Sequence, residues 1–235
     1  MGRTYRSRKR RNLSSLDIPP HVRDHVLEKL CVWMTQNGWK PVTRLRPFVF
    51  NDTGRGLQCL SSLPVGQVIV SIPEKIVITC KKVLGSSFSK IFEDNTNPSY
   101  PTAQQILATF LILERRRSTE SEWSFYISSI PPKFSTPLFQ PERQKFPMYL
   151  QEKIKKEADR LKASLLWVNS QLLINRIEQI TWQEYLWAWY AVNSRAVFVE
   201  PSAERICKDK DNMALAPFLD LLNHSPNIRP NQVWH

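Results

Sequence analysis

Three stretches of helical periodicity in the middle of the chain, flanked by short interrupted apolar runs, limit its fold more than any other feature. Ile106, Leu107, Phe110, Leu111 and Leu113 share one helical face, and the spacing predicts a helix from Thr102 to about Arg116. Its closing arginine run suits the negative end of a helix dipole. A second helix is expected from about Pro147 toward Trp167, with a charged outer face. A third opens at Thr181, where Glu184 completes a capping box ahead of Tyr185, Leu186, Trp189 and Val192. Before these, Val22, Val26, Leu27, Leu30, Cys31 and Met34 predict a helix that stops at Asn37-Gly38, residues that tolerate left-handed backbone. Leu57 to Leu60, Val68 to Ile72 and Lys75 to Thr79 read as strands punctuated by Pro64, Gly66 and Pro73. Leu215 to Leu222 reads as a last buried strand. Strands, helices, then strands again make an α+β fold with a helical insertion at about residues 95–190.

Charge is unevenly spread. Lys and Arg number 33 against 21 Asp and Glu, a net charge of +12. Arg3, Arg6, Arg8, Lys9, Arg10 and Arg11 come before any acid. Residues 1–18 lack apolar periodicity and are expected as a disordered basic arm, with 19–235 as the folded part. Such an arm reads as a nuclear-import or nucleic-acid contact, or equally as a solvated terminus without a specific partner. No apolar run approaches the length of a membrane span. Cysteines at 31, 59, 80 and 207 form no C-x-x-C pair, which argues against structural zinc and a disulfide scaffold. No signal-peptide core follows the start, so an intracellular chain with free thiols is expected. Arg6 stands where a myristoylation signal needs Ser or Thr.

Three polar clusters could carry chemistry. The chain has only six glycines, yet Gly54 and Gly56 flank Arg55 ahead of the first expected strand. Such a pair allows close backbone approach to a ligand, though alone it reads as a turn. A dinucleotide fingerprint would need glycine at Cys59 and a helix after it. Asn193-Ser194-Arg195 closes the third helix. An arginine there can grip a carboxylate bidentately, and more often pairs with a structural one. Asp220, Asn223 and His224 lie within five residues. They lack the neighbouring histidines that a metal site needs, and read as a hydrogen-bonded turn. No G-x-S-x-G nucleophile motif is present.

Taken in order, these clusters resemble the SET-domain protein-lysine methyltransferases. The likeness is to the subfamily with a long helical insertion typified by the plant Rubisco large-subunit methyltransferase. It is carried by Thr53-Gly-Arg-Gly-Leu57, Val70-Ser-Ile-Pro-Glu74, Trp123-Ser-Phe-Tyr-Ile-Ser-Ser-Ile-Pro131 and Thr136-Pro-Leu-Phe139. Leu186-Trp-Ala-Trp189, Val192-Asn-Ser-Arg-Ala-Val197 and Leu215-Ala-Pro-Phe-Leu-Asp-Leu-Leu-Asn-His-Ser-Pro226 complete it, over about residues 22–235.

The resemblance implies a SET-domain β-fold and methyl transfer from S-adenosylmethionine to a lysine ε-amine, the two entering a narrow channel from opposite sides. It implies that Thr53, Gly54, Arg55 and Gly56 lie beside the cofactor and that Arg195 faces its carboxylate region. Asp220, Asn223 and His224 would hold the amino-acid and adenine portions, and Ser194 would lie toward the lysine channel, with no metal. Protein lysines, histones among them, are the implied substrates; nucleus and cytoplasm are the expected compartments, with nucleic-acid contact through the arm and no membrane. The family carries a tyrosine motif that threads beside the Asn-His-Ser segment as a pseudoknot, then a helical substrate-binding domain. No tyrosine follows Tyr190 here, so a truncated form lacking both, with impaired activity, is expected. The alternative is a non-catalytic chromatin- or partner-binding module. A basic RNA- or DNA-binding protein fits less well, because Trp187 and Trp189 sit at helix-core spacing.

Overall fold

A computed structural model of the chain describes residues 24–51, 53–93, 101–139, 146–199 and 212–223. The basic arm, Cys207 and His224 lie outside the described residues.

Helix α1 (His25–Gln36) begins where Asp24 accepts hydrogen bonds from the amides of Val26 and Leu27. It buries Leu27, Leu30, Trp33 and Met34, and ends at Asn37 before Gly38 turns left-handed at φ +92°. Strands β1 (Leu45–Phe50) and β2 (Gly54–Cys59) form an antiparallel hairpin in which Phe48 faces Gly56 and Phe50 faces Gly54. Gly54-Arg-Gly56 is therefore the opening of β2 itself, not a turn ahead of a strand. Pro47 hid β1 from the pattern, and a proline is tolerated there because a two-stranded ribbon has only edges.

Val68 to Ile72 is not a strand. Val70 and Ile72 pack against the core, but among the described residues the segment joins no ladder; the Thr43 hydroxyl donates to the Ile69 carbonyl at 2.6 Å instead. An apolar run marks partial burial, here of Ile69, Val70 and Ile72 while Val68 stays exposed, and does not by itself supply a pairing partner. Of Lys75 to Thr79 only Ile78–Thr79 is a strand (β3), preceded by a single 3₁₀ turn and followed by α2 (Cys80–Leu84), which Thr79 caps.

The helices come next. Helix α3 (Ala103–Arg116) starts with a capping box of Thr102 and Gln105 and is buried nearly all round. Short α4 (Ser124–Ser129) follows, then α5 (Met148–Ile174), which continues past Trp167. Helix α6 (Trp182–Arg195) begins at the expected capping box of Thr181 and Glu184. Arg116, in the last turn of α3, donates through Nε and Nη2 to Glu184 and through Nη1 and Nη2 to the carbonyls of Glu178 and Gln179. That clasp fixes α3 against α6, between which Leu107, Leu111, Ala188 and Val192 are buried in the common core.

Strands β4 (Ala196–Val199) and β5 (Asn212–Leu215) complete a second antiparallel sheet in the order β3-β5-β4. The expected strand from Leu215 to Leu222 keeps only its first residue. Pro217 cannot donate to a ladder, Phe218 turns to φ +72°, and Leu219–Leu221 is a 3₁₀ turn. The fold is α+β, with the helices threaded between the two groups of strands.

Candidate functional site

The three clusters singled out in the sequence lie where the β1–β2 hairpin, α4, the end of α6 and residues 216–223 meet. The hairpin turn and the last segment touch directly. Asn223 Nδ2 donates to Thr53 Oγ1 at 3.0 Å, joining residues 170 positions apart. A Cβ built on Gly56 would fall 2.5 Å from Asn223 Nδ2 and 3.0 Å from Phe50 Cε2, so the Asn223 amide occupies the space a side chain would take. Gly54 needs glycine for another reason, its φ of +72°.

Arg55, between them, holds the neighbouring helices. Its Nε lies 2.8 Å from the Asp24 carboxylate that caps α1, and its Nη1 donates to the Ser129 carbonyl of α4 at 3.0 Å. The Arg55 guanidinium is thus engaged with α1 and α4, while its backbone runs through β2.

The second contact centres on Asp220. Its side chain is 4% exposed, accepts a hydrogen bond from the Tyr126 hydroxyl at 3.1 Å, and lies 3.9 Å from Arg195 Nε. Burial pushes the Asp220 carboxyl up to about 6, although Arg195, Tyr126 and backbone donors at Asp220 and Phe218 pull the other way. Burial, and then the Asp220 charge, raises Tyr126 well above the ordinary tyrosine range. Arg195 faces the carboxylate at ion-pair distance, but its buried Nε has no hydrogen-bond partner among the described residues. The carboxylate pairing expected as the commoner role for such an arginine is present, in loose form.

Ser194 turns its hydroxyl back onto its own helix, donating to the Tyr190 carbonyl at 2.7 Å. Asn193 Oδ1 accepts from Gln104 Nε2 of α3 and fixes the end of α6. The structure therefore joins Thr53 and Gly56 to Asn223, and Arg195 to Asp220. The side chains of Arg55 and Ser194 are turned to other partners. Among the described residues no group of three or more His, Cys, Asp or Glu is placed to hold a metal ion, and no helix is long and apolar enough to cross a membrane.

Two participants escaped the sequence reading. Tyr126 sits in the run Trp123 to Pro131, and the clue was its hydroxyl: a buried tyrosine needs a polar partner. Phe218, buried against Trp39 with ring centroids 4.7 Å apart, carries its left-handed backbone without a glycine to announce it. In all, the arrangement offers a guanidinium with an unused donor, an amide beside a bare backbone, and a buried carboxylate. These groups fit a ligand bearing an amino-acid end.

No protein-family model matches the chain. It is 33% identical over 242 residues to SET domain-containing protein 4 of Mus musculus, covering 97% of this chain and 54% of that protein. Identity to SET domain-containing protein 4 of Homo sapiens is 31%, over the same shares. The fold is similar to the crystal structure of the SET domain of LSMT bound to lysine and AdoHcy, with a TM-score of 0.70 at 20% identity, over 88% of this chain and 45% of that one. At 54% coverage, the chain spans about half the length of the curated relatives it matches.

Proposed function

The chain belongs to the SET-domain family, with SET domain-containing protein 4, and from that premise we propose that it is a member of the subfamily of the Rubisco large-subunit methyltransferase and transfers a methyl group from S-adenosylmethionine to the ε-amine of protein lysines. The observation that carries the proposal is the contact of Asn223 with Thr53 and Gly56, which brings the two most distant clusters of the resemblance together.

When bound, S-adenosylmethionine would supply a methyl carbon made electrophilic by its positively charged sulfur, with the thioether as leaving group. The lysine must arrive deprotonated, since an ammonium with a solution pKa of ~10.4 has no lone pair. What the chain contributes is positioning rather than a base. Thr53, Gly54, Gly56 and the backbone of Arg55 would lie beside the cofactor, with Asn223 held in place by the Thr53 hydroxyl. Arg195 would grip the carboxylate through its guanidinium, whose Nε is without a hydrogen-bond partner among the described residues. Asp220, Asn223 and His224 would frame the amino-acid and adenine portions, His224 lying outside the described residues. Ser194 would mark the lysine side.

Histone lysines, non-histone lysines or both are the substrates within this reading, in nucleus and cytoplasm. The arginine-rich arm supports nuclear import and salt-sensitive nucleic-acid contact. Deleting residues 1–12 is expected to reduce nuclear accumulation and DNA binding without changing helical circular dichroism.

Calorimetric titration of the 235-residue chain with S-adenosylmethionine tests the central claim. Saturable binding is expected, weakened by Arg195→Ala and by Asn223→Ala, with transfer of labelled methyl to lysine in protein substrates that is weak, in keeping with the impaired activity the resemblance implies. No saturable binding at millimolar cofactor would leave the non-catalytic module as the better reading.

A further inference from the structure

We propose that Tyr126 is a positioning residue of the cofactor site: by holding Asp220 Oδ2 it keeps Arg195 from closing on that carboxylate, and so leaves the guanidinium available to the carboxylate of S-adenosylmethionine. The inference rests on the proposed methyl-transfer function.

The geometry is that of a competition for one oxygen. Tyr126 is fully buried on α4, and its hydroxyl donates to Asp220 Oδ2 at 3.1 Å. The same oxygen lies 3.9 Å from Arg195 Nε, which is too long for a hydrogen bond. An arginine beside a buried carboxylate ordinarily closes to a short, often bidentate pair. Here the Arg195 and Asp220 side chains are 15% and 4% exposed, so water does little to hold them apart, and Nε remains without a hydrogen-bond partner among the described residues. Backbone donors at Asp220 and Phe218 also act on the carboxylate and help hold it.

Helix α4 is well placed to fix Tyr126. Its Ser129 carbonyl accepts from Arg55 of β2, so one short helix touches the hairpin at one end and Asp220 at the other. A tyrosine that needed only a partner for its hydroxyl could take a backbone carbonyl. A carboxylate buried to this degree carries a desolvation penalty, visible in its upward shift to about 6, and it stands in front of the arginine. Among the described residues, the titratable groups that act on Asp220 are Tyr126 from α4 and Arg195 from the end of α6. Tyr126 does not titrate near neutrality.

The test measures cofactor affinity of the full chain by calorimetry, wild type against Tyr126→Phe. Two probes are used: S-adenosylmethionine, and 5′-methylthioadenosine, which lacks the amino-acid end. In the variant Arg195 closes on Asp220, and affinity for S-adenosylmethionine falls about tenfold at pH 7.5, the scale of one lost hydrogen bond to a charged group. Affinity for methylthioadenosine stays as in the wild type. Because protonation of Asp220 releases Arg195, the gap between variant and wild type narrows from pH 7.5 to pH 5. A merely structural tyrosine would lower the melting temperature and weaken both probes alike, with no narrowing. Should Tyr126→Phe not fold, the double variant Tyr126→Phe/Asp220→Asn carries the test: with no carboxylate for Arg195 to close on, its affinity for S-adenosylmethionine equals that of Asp220→Asn alone. Equal affinities in folded wild type and Tyr126→Phe, or a double variant that binds more weakly than Asp220→Asn alone, would overturn the inference while leaving the functional reading intact. A wild-type chain that binds no S-adenosylmethionine overturns that reading, and this inference with it.

Discussion

Asn223 stands where a side chain on Gly56 would have to go. The 2.5 Å between its Nδ2 and a Cβ built on Gly56 is closer than side-chain atoms pack, and Phe50 closes the other side at 3.0 Å. Gly56 has no left-handed backbone to explain it, so space alone requires the glycine there. The hairpin and the last segment are shaped to each other across most of the chain's length.

Gly56→Ala is therefore expected to push Asn223 off Thr53 and to lower stability by about 1–3 kcal/mol, the usual scale of overpacking. Gly54→Ala meets nothing within 4 Å and pays only for φ +72°, about 1–2 kcal/mol. Asparagine separates the two mechanisms, since it tolerates left-handed backbone but is larger than alanine. At Gly54 it should cost less than alanine; at Gly56, more. Urea unfolding of the four variants gives the order, and the same order at both positions would refute the distinction.

The contact between Thr53 and Asn223 also marks what could be read from the sequence. The capping box of Thr181 and Glu184 is local chemistry, three residues apart, and α6 begins there as expected. The meeting of Thr53 and Asn223 spans 170 positions, and no periodicity reaches that far. Only the resemblance grouped them. Val68 to Ile72 reads as a strand because it is a short apolar run between turn residues, whereas a strand also needs a neighbour for its amides. Leu215 to Leu222 looked like another because Pro217 was read through as part of an apolar run. The pairing of Tyr126 with Asp220 is not legible because the two lie 94 positions apart and Asp220 has an ordinary explanation in a turn.

Arg55 and Asp24 provide a second test. Asp24 both caps α1 and pairs with Arg55 Nε at 2.8 Å, the two side chains being 17% and 35% exposed. Asp24→Asn keeps a capping oxygen and loses the charge, whereas Asp24→Ala loses both. The alanine variant should be the less stable by about 1 kcal/mol, the usual value of an N-cap. Arg55→Ala on each background measures the remaining coupling, which should persist partly with asparagine and vanish with alanine. Equal stability of the two Asp24 variants would show that the cap contributes nothing.

Glu184 carries an acid-sensitive part of the stability. The hydrogen bond from Arg116, with further help from Thr181, holds its carboxyl at about 2, below the ordinary 4.5. The folded state thus binds this proton less readily than the unfolded one. The stabilisation is present above about pH 4.5 and is lost as pH falls toward 2. Glu184→Gln should lower the melting temperature at pH 7 and converge on the wild type at acid pH. A difference that stays constant from pH 7 to pH 3 would mean that the carboxylate charge is not what matters.

Asp220 has the opposite sign. Its carboxyl is raised to about 6 in the folded chain from 3.8, with burial the leading cause, so between these values the folded state holds a proton that the unfolded state has released. Stability therefore falls as pH rises from about 4 to 6 and levels off above, the slope being set by the extra proton bound in the native state. Asparagine has nearly the shape of the protonated acid and still offers an oxygen to the Tyr126 hydroxyl, at neutral charge. Asp220→Asn is accordingly expected to match the wild type near pH 4 and to melt a few degrees higher at pH 7.5, even though the site is altered. Retaining a destabilising carboxylate against Arg195 is what a site under functional constraint does, since stability and binding pull in different directions there. Thermal unfolding of both chains across pH 4–8 decides it. If Asp220→Asn is less stable than the wild type at pH 7.5, the ionised carboxylate and Arg195 stabilise the fold as a pair, and functional constraint is no longer needed to account for Asp220.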